Sequence, residues 1–103
     1  MQRLAFKMYL KAGYEKEYEK RHNLIWPELQ QLLKYSGVSD YSIFWDKETN
    51  LLFAVQKSNG QGSQDLGKTE IVQKWWAYMA DIMETNPDNS PISVKLQELF
   101  YLE

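Results

Sequence analysis

The spacing between apolar residues switches repeatedly between two and three-to-four along this chain, and that order of periods restricts the fold more than any motif does. Leu4, Phe6, Met8 and Leu10 alternate with Ala5, Lys7 and Tyr9, which predicts a strand from Leu4 to Lys11 that Gly13 ends. From Tyr14 the period lengthens. Tyr14, Tyr18, His22, Ile25, Leu29, Leu32 and Leu33 fall on one helical face, opposite Glu15, Lys16, Glu17, Glu19 and Lys20. Pro27 lacks a backbone donor and pushes Trp26 away from helical geometry. A kink near residues 23–26 is expected, or two helices with Pro27 opening the second, before Ser36-Gly37 stops the run.

Two strands follow, Val38–Asp46 with Tyr41, Ile43 and Trp45 on one face, and Leu51–Lys57, joined as an antiparallel hairpin by the turn at 46–50. Ser58–Lys68 carries Gly60, Gly62 and Gly67 and reads as a mobile surface loop. Ile71, Val72, Trp75, Trp76, Met79, Ile82 and Met83 make an apolar stripe on a helix over roughly 69–84. Asn86–Pro91 is turn chemistry, and alternation over Ser93–Leu102 predicts a fourth strand with Val94, Leu96, Phe100 and Leu102 on one face. The order βαββαβ predicts one α+β domain over residues 1–103 of the ferredoxin-like type, a four-stranded antiparallel sheet with two helices on one face. The other face would hold apolar groups among Tyr9, Phe44, Ala54, Leu99 and Tyr101. An exposed patch of that kind marks an interface, so a homodimer packed sheet to sheet, a dimeric α+β barrel, is expected.

Composition excludes several chemistries. Cysteine is absent, which removes disulfides, a thiol nucleophile and Cys-ligated metals. The formal charge of −2 argues against a nucleic-acid partner. The N-terminus lacks the apolar core of a secretory signal and no run is long enough for a membrane span, so a cytoplasmic protein is expected. With one His and no Cys a metal site is not expected, and no phosphate-cradle, dinucleotide or nucleophile-elbow pattern implies a cofactor.

The 15% aromatic content is the compositional excess. His22, the only histidine, lies within the apolar helical face one turn after Tyr18. It is either a half-buried histidine bonded to a backbone carbonyl or a proton carrier beside a pocket. Tyr18 and Tyr41 each offer core packing or a ring and hydroxyl for a ligand. Adjacent on a helix, Trp75 and Trp76 diverge by about 100°, which puts Trp75 near the centre of the apolar face and Trp76 at its edge, where one ring face would be free. Asp88 either caps its own turn or assists proton transfer. Together these residues describe a small aromatic pocket with one proton carrier.

The segments Tyr18-Glu-Lys-Arg-His22-Asn-Leu-Ile-Trp-Pro-Glu-Leu29, Asp46-Lys47 leading to Asn50-Leu-Leu-Phe-Ala54, Lys74-Trp-Trp-Ala-Tyr-Met-Ala-Asp81, Asn86-Pro-Asp-Asn-Ser-Pro91 and Leu96-Gln-Glu-Leu-Phe-Tyr-Leu102 resemble the L-rhamnose mutarotase family over nearly the whole chain. The resemblance implies a cytoplasmic, dimeric, cofactor-free isomerase of ferredoxin-like fold that interconverts the α and β anomers of L-rhamnose. It implies His22 as proton donor and Tyr18, Tyr41, Trp75 and Trp76 as sugar contacts. Ser58–Lys68 departs from the family pattern in being richer in glycine. Two other readings fit the residues: a cofactor-free monooxygenase of the dimeric ferredoxin-like type, and a non-catalytic small-molecule binding module.

Overall fold

The computed structural model describes residues 2–60 and 62–103; Met1 and Gln61, the latter within the expected loop, lie outside the described residues. The elements are β1 (Gln2–Tyr9), α1 (Glu15–Asn23), α2 (Pro27–Tyr35), β2 (Val38–Asp46), β3 (Leu51–Ser58), α3 (Glu70–Met79) and β4 (Ser93–Lys95), with a 3-10 turn at Ser63–Asp65. The strands form an antiparallel sheet in the order β2-β3-β1-β4.

The alternation read from the sequence sorts the two sheet faces. Phe6 and Met8 of β1 pack beside Leu52 and Ala54 of β3, and against these sit Tyr18, Leu29, Val72, Trp75, Trp76 and Met79 from the helices. Leu52 and Ile82 are fully buried, each contributing roughly 1.5–3 kcal/mol by removing apolar surface from water. Ala54, expected on the open face, belongs to this core. The open face carries Phe44, as expected, paired with Phe53, and Lys7 beside Val94.

Of the two forms expected for the first helical run, the structure has two helices with Pro27 opening the second. Trp26 is extended (φ −61, ψ 131) and Pro27 opens α2, where its missing N–H is harmless. Counted with α3, the sheet is therefore covered by three helices, the first two being the split form of one expected helical run. Two residues past the end of α2 stands Gly37, whose φ of +91 suits glycine and whose carbonyl accepts from the Asn59 N–H at 3.2 Å.

α3 stops at Met79 rather than 84, because the next residues return to the sheet. Lys11 N–H donates to the Ile82 carbonyl at 2.9 Å and Glu84 N–H to the Tyr9 carbonyl at 3.0 Å. Ile82 and Met83 keep their predicted burial without the helix. The fourth strand is also shorter than expected. It ends at Lys95, with one further bond from Leu96 N–H to the Ala5 carbonyl at 2.9 Å. Beyond it Leu99, Phe100 and Leu102 are exposed; among the described residues the alternation there has no facing strand. The Gly-rich segment is more than surface loop: Ser63 and Leu66 are buried in it.

β2 carries one extra residue. Ser39 pairs with Lys57 but Ser42 pairs with Val55, so three steps on β2 oppose two on β3. Asp40, at φ 48, absorbs the difference. This bulge brings Val38 and Tyr41, three apart, to the same helix-covered side.

Candidate active site

A cleft of about 1110 Å³ opens between the helices and β2. Tyr18, His22, Tyr41, Trp75 and Trp76 all line it, so the structure brings together every residue singled out as an imidazole, phenol or indole wall. α1 presents Tyr18 and His22 one turn apart, α3 presents the two indoles, and the β2 bulge supplies Tyr41.

His22 is bonded to a backbone carbonyl and also lines the cleft. Its Nδ1 lies 3.1 Å from the Tyr18 carbonyl, which has no hydrogen and can only accept, so Nδ1 carries the proton. In the neutral ring Nε2 is then a bare acceptor. The ring stacks on Tyr18 (centroids 4.2 Å apart, planes at 25°) and meets Trp75 edge-on at 5.5 Å. Trp26 holds Trp75 from the other side, again edge-on, at 5.0 Å. Burial among these rings lowers the His22 pKa below its usual 6.5, with the carbonyl bond opposing. Burial also pushes the Tyr18 and Tyr41 phenols up, so both keep their hydrogens at neutral pH.

Trp76 is not at an open edge. It is 8% exposed, as is Trp75, because the segment after Ser63 lies over it. A Cβ at Gly67 would stand 2.6 Å from its ring, so only glycine permits that approach. Asp88 does not line the cleft; its carboxylate accepts from the Ser90 N–H at 3.0 Å and from the Ser90 hydroxyl, and these bonds lower its pKa. It caps its own turn. Among the described residues no three His, Asp or Glu side chains gather as a metal site would.

Three supporting residues escaped the sequence reading. Arg21 donates to Glu17 at 2.8 Å, to Asp81 at 2.8 and 3.2 Å and to the Tyr78 carbonyl at 2.8 Å, and its guanidinium covers the Tyr78 ring. It thereby ties the helix bearing His22 to the helix bearing the indoles. The Glu17–Arg21 spacing of four was the only signal in the sequence, and it does not reveal the bond to Asp81. Gln56 and Ser63 form a buried polar pair behind Tyr41. A glutamine on the apolar side of a strand was its only trace.

The model of a known family matches residues 3–102, and that family is described as L-rhamnose mutarotase. The chain belongs to the L-rhamnose mutarotase family. Among its members, an L-rhamnose mutarotase of Bacteroides thetaiotaomicron is 72% identical over 104 aligned positions, covering all of both chains. One from Phocaeicola vulgatus is 64% identical with the same coverage. A solved crystal structure of the L-rhamnose mutarotase of Formosa agariphila superposes with a TM-score of 0.92 at 57% identity, again over the whole of both chains. Among the described residues no helix is long and apolar enough to cross a membrane.

Proposed function

We propose that this protein interconverts the α and β anomers of L-rhamnose by opening and reclosing the pyranose ring, with His22 as proton carrier. The observation that carries the reading is the state of that imidazole. Its Nδ1 hydrogen is held by the Tyr18 carbonyl, its charge is disfavoured by burial, and its Nε2 remains available in an aromatic cleft. Ring opening needs a base for the anomeric hydroxyl and a donor for the ring oxygen. Nε2 takes the anomeric proton as the ring opens. The aldehyde end rotates, and the imidazolium returns the proton as the ring closes on the other face, which is the donor half of the cycle. General acid–base assistance of this kind contributes about 10²- to 10⁴-fold. Tyr18, Trp75 and Trp76 offer flat apolar walls to the sugar's C–H face and methyl group. His22→Asn is expected to fold and to exchange anomers at least a hundredfold more slowly, roughly the lower limit of that contribution. Saturation-transfer NMR on free L-rhamnose reads the rate; wild-type exchange in that variant would reject the role.

The sheet order β2-β3-β1-β4, with the helices on one face, supports the ferredoxin-like assignment. The open face and the chain after β4 support a homodimer. Phe44 is exposed there, and Leu99 is 88% exposed on a segment held near the sheet by Arg3, which donates to Glu98 at 3.1 Å and stacks on Tyr101. A second copy laid on that face would cover both. Light scattering is expected to give twice the chain mass for the wild type and the chain mass for Phe44→Glu/Phe100→Glu; a monomeric wild type would reject the pairing.

A further inference from the structure

A polar chain runs out of the core to the cleft, and its direction is fixed at the inner end. Gln56 is fully buried on β3. Its Oε1 accepts from the backbone N–H of Ser63 at 2.8 Å. A backbone amide can only donate, so the oxygen end of Gln56 is fixed there and Nε2 faces the Ser63 hydroxyl at 2.9 Å. Nε2 also can only donate. The Ser63 oxygen accepts from Gln56, and its hydroxyl donates to Tyr41 Oη at 3.3 Å. Tyr41 is the acceptor in that bond, and among the described residues its own hydrogen meets no other partner. Tyr41 and Ser63 both line the cleft that holds His22.

We propose that Tyr41 is the second proton-transfer group of the reaction, donating to the ring oxygen, and that Ser63 and Gln56 are positioning residues that hold it in the donor sense. This rests on the mutarotase reading. The two groups are complementary: His22 offers a bare nitrogen and Tyr41 a hydrogen. On opening, the anomeric O–H gives its proton to His22 Nε2 and the C1=O bond forms. The C1–O5 bond breaks as O5 takes the Tyr41 hydrogen. The phenolate so formed accepts the Ser63 hydroxyl hydrogen, a bond that strengthens as charge develops. On closing, O5 attacks C1 and returns its proton to Tyr41, while the imidazolium returns the other to O1. No oxidant, metal or further reactant enters.

The test is a double-mutant cycle on anomer exchange of L-rhamnose, with melting temperature recorded for each variant. Tyr41→Phe is expected to lower kcat by about a hundredfold or more. Ser63→Ala should lower kcat by about 10- to 150-fold, the range for losing a hydrogen bond to a group that becomes charged, with a smaller change in KM. Ser63→Thr, which keeps the hydroxyl, should restore most of the loss. Ser63→Ala/Tyr41→Phe should be no slower than Tyr41→Phe alone, because Ser63 acts only through the phenol. Gln56→Met, close in volume and without the amide, should lower kcat in the same direction and guards against a misfolded Ser63→Ala. Multiplicative losses in the double variant, or a folded Ser63→Ala with kcat within twofold of wild type, would overturn the proposal. A wild-type protein that does not accelerate exchange at all would instead refute the activity on which it rests.

Discussion

The approach of Gly67 to Trp76 can be tested by adding a single methyl group. In Gly67→Ala the new Cβ would lie 2.6 Å from Cη2 and 2.8 Å from Cζ3 of the indole. Carbon atoms pack at about 3.5–4.0 Å, so methyl and ring must separate by about 1 Å. Trp76 is buried and cannot swing into solvent. The strain is that of overpacking a core, about 1–3 kcal/mol. In a domain near this size that lowers Tm by roughly 4–24 °C. Because the ring is also a cleft wall, its displacement should raise the L-rhamnose concentration for half-saturation more than it lowers kcat. Gly60→Ala is the control: the same substitution in the same segment meets nothing within 4 Å. It should be neutral, or stabilising by about 0.4–1 kcal/mol through a less flexible unfolded chain. Calorimetry and a saturation curve on both variants decide the matter; identical melting temperatures and curves would refute the packing argument.

Further expectations follow from other parts of the structure. His22 is the only histidine, and burial lowers its pKa from 6.5, so the unfolded chain binds the extra proton first as pH falls. Stability should therefore decline with falling pH from about 6.5 until the folded pKa is passed. His22→Asn should remove that slope in urea titrations while leaving the carboxylate losses at lower pH. Arg21→Ala should cost about 1–2 kcal/mol, the lower part of the range for charged hydrogen bonds because Asp81 is mostly exposed, and Arg21→Lys should restore less than half. Chemical denaturation of the two variants measures both. Gly37→Ala, at φ +91 and with Asn59 Cβ only 2.9 Å from the added carbon, should destabilise by at least about 1–2 kcal/mol in the same assay.

The residues that announced themselves in the sequence are those whose neighbours lie along the same element. Phe6 and Met8 follow strict alternation, His22 and Tyr18 share a helical face, and Pro27 marks a helix start through its own missing donor. What stayed hidden depends on partners far along the chain. The 80–84 stretch continues a helical pattern, yet Tyr9 and Lys11 claim its backbone groups. Alternation over 96–102 states which side chains seek cover but not that, among the described residues, no strand faces them. The burial of Trp76 depends on Gly67 and the chain folded over it, and glycine content alone reads as looseness. Ser63 is unremarkable in sequence until Gln56 and Tyr41 are brought to either side of it.

The extra residue in β2 has a consequence for how this chain can vary. The hairpin end is pinned, since Asn50 N–H donates to the Asp46 carbonyl at 2.8 Å and the Asn50 side chain reaches the Leu10 carbonyl at 2.6 Å. Slack can therefore be taken up only toward Val38. A chain one residue shorter at Asp40 would set Val38 and Tyr41 two apart, the ordinary strand spacing, and both would still face the helix-covered side. What such a deletion would alter is the local twist of the strand and so the angle at which the phenol enters the cleft, leaving the choice of face untouched.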